Sequence, residues 1–426
     1  MDACRFCLCG PPVHETLLTN QGKCLPPREP AAPLAKDAGI NTGSICAGLL
    51  ADYKAATGTR FTTGVDVKDS GDFFYARFDE CPKFSDKHKS AMGKHCTPEL
   101  WAKLKDAKTS KGYTLSNAVQ TGCLIPHLGV GCTAGDEESW AVFKDLYYPV
   151  IHAWHGYDAN TQKHTTDLDA SKLKFTAAQR AKFEQYVSCT RIRAARNIAG
   201  YALPCGASDE EREGVENVVR GALTSITDPD LKGTYHKLAD LDATQREYLM
   251  SKGCLFQVPT ARNLLMGAGG ARDWPNNRGI FLNDTHTALA WCNEEDHCRI
   301  IAMQEGGDIP QVFARFVKFS QALEGTGAAL MWNDTLGYLG SCPSNLGTGL
   351  RCSVMIRLEC FHQLLGDPRC CGEDKGLLEY VCGQLHLQPR GAQGEHSYST
   401  GDTDARYDVQ QAAPGLLRGA TRAEAH

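Results

Sequence analysis

The chain has 426 residues, of which 42% are hydrophobic and 22% charged, with a formal net charge of −5 and a sequence pI near 6.3. That is an ordinary soluble balance with room for two or three domains and a sizeable core. It gives no basic field for nucleic acid or an anionic membrane, and no uncharged apolar run approaches the roughly 20 residues of a membrane span.

Cysteine is abundant, at 20 residues. Dense disulfide scaffolds are short chains, and the N-terminus lacks the pattern of a secretory leader, so most of these residues read as free thiols in a reducing, cytoplasmic setting. Cys4, Cys7 and Cys9 are close in sequence, but no second Cys/His pair stands nearby at zinc-ligand spacing.

Residues 1–58, with the run PPREPAAPLAK, read as irregular, and 57–90 carry aromatics without a period. Periodicity starts at Thr97-Pro98-Glu99, which combines a capping hydroxyl, a proline at the first helical position and an acid in the first turn. Leu100, Trp101 and Leu104 then share a face. Asp136-Glu137-Glu138 predicts a second helix start, with Trp140, Phe143 and Tyr147 as its stripe and Pro149 limiting its length. Residues 97–155 thus read as a helical unit and the polar stretch 156–174 as a connection. Further on, Asp308 caps a helix with Val312, Phe316 and Phe319 on one side, and Ala288–Trp291 and Ser353–Leu358 read as strands.

Four segments could carry chemistry. In Ser188-Cys189-Thr190-Arg191-Ile192-Arg193, an extended backbone points Arg191 and Arg193 the same way, which suits a phosphate or a solvated strand edge. Trp291-Cys292-Asn293-Glu294-Glu295-Asp296-His297-Cys298-Arg299 places three acids in a row. These suit a magnesium ion, a cationic substrate, a tuned base or an exposed acidic turn. Ser341 to Arg351 holds a cysteine before proline, and glycines whose N–H groups could face an anion; the bland reading is an inert buried thiol. Arg390 to Ser397 has glycines fit for a closing loop or for plain surface flexibility. Arginines, carboxylates, a thiol and a mobile loop are what phosphoryl transfer needs, while the P-loop and protein-kinase motifs are absent.

At these segments the chain resembles the phosphagen kinases, the arginine and creatine kinase family. CPSNLGTG (342–349), NEEDH (293–297), GTYHKL (233–238), GGDIPQVFARF (306–316), DWPNNRGI (273–280), LGYLGSCP (336–343) and GCTAGDEESWAVFKDLYYPVI (131–151) match family blocks in order. The resemblance implies an α+β fold, with a small all-α N-terminal domain and a larger domain of antiparallel β-sheet flanked by helices. The expected boundaries are an irregular extension over 1–80, the helical domain over 81–165 and the catalytic domain over 166–426.

It also implies reversible transfer of the ATP γ-phosphoryl to a guanidine, with magnesium accompanying ATP/ADP and no metal held by the protein itself. By position, Arg191, Arg193, Arg299, Arg351 and Arg390 would grip the nucleotide. Glu295 would hold the guanidinium and act as base, Cys342 would contact it as thiolate, and Glu395 would clamp it from the closing loop. Gly129 and Val130 would bind the substrate carboxylate, and Thr133 stands where arginine kinases usually have a substrate-binding tyrosine. Glu395 and the short loop 120–131 point to arginine. Taurocyamine or creatine is the alternative acceptor, and a weakly active nucleotide-binding relative is another reading. A protein-arginine kinase is disfavoured by the helical N-terminal domain. A monomer or homodimer without nucleic-acid or membrane partners is expected.

Overall fold

The computed structural model describes residues 40–64, 75–357, 388–390 and 406–411. Cys4, Cys7, Cys9, Gln393, Gly394 and Glu395 lie outside these residues, and of Arg390 only the backbone is described.

The N-terminal part holds α1 (Thr42–Thr57), β1 (Phe61–Gly64), β2 (Tyr75–Phe78), α2 (Ala91–His95), α3 (Pro98–Leu104), α4 (Leu115–Leu124), α5 (Ser139–Val142) and α6 (Lys144–His155). Over residues 42–57 helix α1 corrects the reading of 1–58 as irregular, while residues 1–39 lie outside the described residues. The Asn41 side chain accepts from Ser44 N, Gly58 closes the helix in the left-handed conformation, and Cys46, Leu50 and Tyr53 bury one face. Their 4-3 spacing carried the signal, which the preceding proline run obscured.

Helix α3 starts as predicted, with Thr97 accepting from Leu100 N. Asp136 Oδ1 takes Ser139 N at 2.8 Å and Ser139 Oγ at 2.7 Å, but the helical turn that starts there ends at Val142 and a second helix follows. Pro149, expected to limit that helix, lies inside α6. The helix runs past it because Val150, Ile151 and the half-buried Trp154 still pack on the core. Strands β1 and β2 form a small antiparallel ribbon on this otherwise helical domain. Residues 156–174 contain no strand and one short 3₁₀ turn.

The larger part continues with α7 (Ala177–Tyr186), β3 (Val187–Arg196), α8 (Asp209–Thr224), β4 (Gly233–Lys237), α9 (Ala243–Ser251), α10 (Leu264–Gly267), β5 (Gly279–Asn283), β6 (Ala288–Cys292), β7 (Cys298–Glu305), α11 (Ile309–Glu324), β8 (Trp332–Asn333), β9 (Gly337–Tyr338), β10 (Leu350–Arg357), β11 (Gln388–Arg390) and β12 (Arg406–Gln411). Eight of the strands make one antiparallel sheet in the order β11-β12-β10-β3-β7-β6-β5-β4.

One face of the sheet is packed by α8 and α11. Val312, Phe316 and Phe319 are all fully buried there, as their spacing predicts. The opposite face divides. Over β5 and β6 it is apolar and lies under Leu249, Cys254 and Phe256, whereas over β3, β7 and β10 it carries arginines. The helical domain's core extends into the larger part through Met331, Leu336, Leu339, Cys342 and Leu346, so the CPSNLGTG loop lies at the seam.

The cysteines of the described residues are free, as expected. Among those residues no helix is long and apolar enough to cross a membrane.

Phe316 is 0% exposed between helix and sheet. Phe316→Ala should cost about 3–5 kcal/mol, read as a fall in the urea midpoint at unchanged slope.

Candidate active site

Strand register gathers the basic side chains. Arg191 and Arg193 are two apart on β3 and therefore share a face. Arg351 of β10 is the direct partner of Arg193, and Arg299 of β7 is the partner of Ala195, so all four arginines project to that face. The Arg191 guanidinium lies 5.0 Å from the centre of the Trp291 ring, within cation–π range. Burial, then Arg351, Arg299 and Arg191 in turn, lower the Arg193 pKa, and Glu294 opposes them. Arg196, of odd register with these, leaves for the other face, stacks 3.6 Å over Tyr338 and is fully buried.

The acidic loop between β6 and β7 turns at Asn293, a non-glycine residue at φ +54°. Asparagine tolerates this conformation, and its Nδ2 donates at 2.8 Å to the carbonyls of Arg212 and Asn277. The three acids converge on one cation. Arg299 Nη1 lies 2.5 Å from Glu294, Nη2 lies 2.9 Å from Glu295 and Nε lies 3.1 Å from Asp296. Burial disfavours the Arg299 charge, but these carboxylates outweigh it and hold its pKa above the usual range. Burial raises the Glu294 carboxyl, while Arg299 works the other way.

The Cys342 loop closes the site. Its helical turn Pro343–Asn345 is joined to the acidic loop through Asn345 Nδ2, 2.7 Å from Glu295 Oε1, and to β10 through Arg351 Nη2, 2.9 Å from Asn345 Oδ1. Ser341 Oγ donates to the Glu295 carbonyl at 2.9 Å, and His155 of α6 meets the Pro343 carbonyl at 2.8 Å. The Cys342 thiol is 3% exposed, with Ser344 Oγ at 3.1 Å. Burial and then the Glu295 charge push its pKa up to about 12, against Ser344 and Arg351. Both effects disfavour the thiolate form. The loop's glycines are not anion donors: Gly347 N donates to the Leu336 carbonyl at 2.8 Å and Gly349 N to Leu346 at 3.3 Å. That corrects the reading of their N–H groups.

The segment 129–131 is held by its carbonyls. Gly129 accepts from Ala91 N, Val130 from Met92 N and Gly131 from Gly122 N. Among the described residues no backbone carbonyl accepts from the N–H groups of Gly129 and Val130. A Cβ on Gly129 would stand 2.6 Å from the Trp154 ring, so any side chain there would require that ring to move. Thr133 is fully buried and occupied, its carbonyl 2.7 Å from Tyr147 Oη and its hydroxyl 3.1 Å from Tyr113 Oη.

The sequence reading gave no role to His297 or Asn197. Nδ1 of His297 accepts from Ile198 N at 2.9 Å, which leaves Nε2–H to donate to the Ala202 carbonyl at 2.8 Å. The ring is neutral, and burial lowers its pKa to about 4. Only its place beside the acids could have drawn notice, since its partners lie about a hundred residues earlier in the chain.

Magnesium was one reading of the acidic loop. Its carboxylates are instead turned to Arg299, and no group of three or more His, Cys, Asp or Glu able to hold a metal occurs among the described residues. A nucleotide-borne ion, carried on phosphate oxygens and water, fits this donor set better than a protein-held one.

Two family models match the chain: the N-terminal domain of ATP:guanido phosphotransferase over residues 86–152 and its C-terminal catalytic domain over 214–411. An arginine kinase of Stichopus japonicus is 41% identical over 340 residues, spanning 79% of this chain and 86% of that one. A creatine kinase M-type of Canis lupus familiaris is 40% identical over 334 residues, or 76% and 83% of the two chains. Among solved structures, a lombricine kinase superposes with a TM-score of 0.67 at 37% identity, covering 80% of this chain and 92% of that one. A duplicated taurocyamine kinase from Schistosoma mansoni with bound transition state analog components gives 0.70 at 29% identity, covering 87% and 48%. The chain belongs to the ATP:guanido phosphotransferase family, and the two-part fold expected from the sequence is the family's.

His297 is neutral when folded and has a normal pKa near 6.5 when unfolded, so between about pH 6.5 and 4 the unfolded chain binds the extra proton. Stability should therefore be full above that window and fall on acidification through it, by roughly 1.4 kcal/mol per pH unit for this group. Urea melts across the window should show that slope, and His297→Gln should remove about one proton's share of it.

Proposed function

We propose that this phosphagen kinase reversibly transfers the ATP γ-phosphoryl group to the guanidino group of arginine, giving phosphoarginine and ADP. The observation that carries the phosphoryl part is the register-driven clustering of Arg191, Arg193, Arg299 and Arg351 on one sheet face beside Glu295 and Cys342. Bidentate guanidinium groups suit phosphate oxygens and the charge that spreads over a moving phosphoryl. Arg390, on the edge strand β11, would add a fifth, and a magnesium ion bound to the nucleotide would neutralise the remaining charge.

The acceptor would lie at the seam. Glu295, fixed at both oxygens by Asn345 and Arg299, would orient the guanidinium and take its proton as the N–P bond forms. The incoming cation would offset the Glu295 charge that now disfavours ionisation of Cys342, so the thiolate would form only with substrate present. The N–H groups of Gly129 and Val130 would meet the substrate's carboxylate. Glu395 would arrive from its loop to hold the guanidinium from the other side. Arginine is favoured over creatine and taurocyamine by Glu395 and by the short 120–131 loop. The domain boundary falls within 156–174, and a cytoplasmic monomer or homodimer is the corresponding setting.

An acceptor screen with ATP and magnesium tests this reading. Arginine should be phosphorylated fastest, and turnover of creatine or taurocyamine without arginine would overturn the acceptor. Glu295→Gln should lower kcat by about 10²-fold or more with ADP affinity nearly unchanged, because it removes the base and not a phosphate contact. Cys342→Ala should reduce turnover and leave measurable activity.

A further inference from the structure

Asn197 follows the arginine strand directly and is fully buried. Its side-chain amide makes three hydrogen bonds to two separate segments. Oδ1 accepts from His297 N at 2.8 Å, while Nδ2 donates to Asp296 Oδ1 at 3.1 Å and to the Leu339 carbonyl at 2.8 Å. The backbone adds a fourth tie, since Met331 N donates to the Asn197 carbonyl at 2.7 Å.

The end of β3 is thereby joined to the acidic loop and to the segment that leads into Cys342. Donor and acceptor ends of the amide match only one orientation, because Nδ2 faces a carboxylate and a carbonyl and Oδ1 faces an N–H. The same junction explains Gly340. A Cβ there would stand 2.8 Å from Asp296 Oδ1 and 3.6 Å from Asn197 Nδ2, so the Cys342 segment passes too close for any side chain. Asp296 Oδ1 also faces Ser341 N at 3.4 Å.

We propose that Asn197 is a positioning residue that sets the distance between the Glu295 carboxylate and the Cys342 thiol by clamping their two loops to the end of the arginine strand. The inference rests on the phosphoryl-transfer reading but concerns a residue that touches neither substrate. Removing the amide leaves Asp296 Oδ1, the Leu339 carbonyl and His297 N without this shared partner, and the two loops are then joined only by Ser341 and Asn345, free to shift relative to the end of β3. The nucleotide face should be spared. Arg191, Arg193 and Arg299 are all fixed by the pairing of β3 with β7.

The test uses the full chain carrying Asn197→Ala, with Asn197→Ser and Gly340→Ala as milder perturbations of the same junction. Phe316→Ala serves as a destabilised control remote from the site. For the folded Asn197 and Gly340 variants, kcat should fall about ten- to a hundred-fold and the guanidine KM should rise. The ADP dissociation constant should stay within about two-fold. Alkylation of Cys342 by iodoacetamide, slow while the thiol is buried, should speed up several-fold.

A purely structural role predicts another pattern, in which the variants lose thermal stability as Phe316→Ala does and keep wild-type kcat and alkylation rate per folded molecule. That result would overturn the proposal, as would an equal loss of nucleotide affinity. If the wild type phosphorylates no guanidine, the functional reading fails alone; faster alkylation of the variants would still support the clamp, and unchanged alkylation would sink it.

Discussion

Four guanidinium groups on one side of a sheet repel one another, and the rest of the structure is organised around keeping them there. Side-chain exits alternate along β3, β7 and β10, and the antiparallel register sets Arg193 against Arg351 and Arg299 one step away. Sliding a strand by one residue would send its arginines into the apolar layer under α8 and α11. The packing of Phe316, Phe319, Val215 and Val219 on that layer therefore fixes the cationic face as firmly as it fixes the core. Apolar burial on one side of the sheet supplies the free energy that like charges on the other side cost. An anionic ligand would remove part of that cost, so on the proposed function phosphate binding would also stabilise the fold.

The acidic loop meets the cations asymmetrically. Three carboxylates draw on Arg299, so its charge is compensated within the protein, whereas Arg193 has mainly cations around it. Glu295 stands at the boundary of these fields, with Arg299 on one oxygen and Asn345 on the other. Its carboxylate is held in place by these two partners, a preorganisation that the proposed role of Glu295 would use. Its charge also raises the Cys342 pKa, so on that proposal a bound cation would favour ionisation of the thiol.

Much of this was legible in the chain. Period-two spacing put Arg191 and Arg193 on one face, helical spacing buried Val312, Phe316 and Phe319, and Thr97 capped its helix. Local rules failed where tertiary packing decided the outcome. Helix α1 was hidden by the irregular run before it, and Pro149 was absorbed because the flanking apolar residues held the helix together. The ordered motif blocks carried the family and hence the two-part fold. The ties made by Asn197 and His297 were beyond local patterning altogether, since each joins residues about a hundred positions apart, and a lone Asn or His beside a strand carries no mark of such a partner.

On the proposed function, the two ends of the reaction would be recognised by different parts of the architecture. The phosphate end would rest on sheet register, in which a single change of exit direction would scatter the arginines. The acceptor end would rest on loops at the seam: 129–131 with its clamped carbonyls, the Cys342 turn and the Glu295 hairpin. Loops tolerate substitution and length change better than register does. Relatives named for arginine, creatine, lombricine and taurocyamine resemble this chain to comparable degrees across the shared framework, as this division requires. Acceptor choice would then be a property of the seam, and the cationic face would serve any guanidine whose nitrogen the seam holds in line with the phosphoryl group.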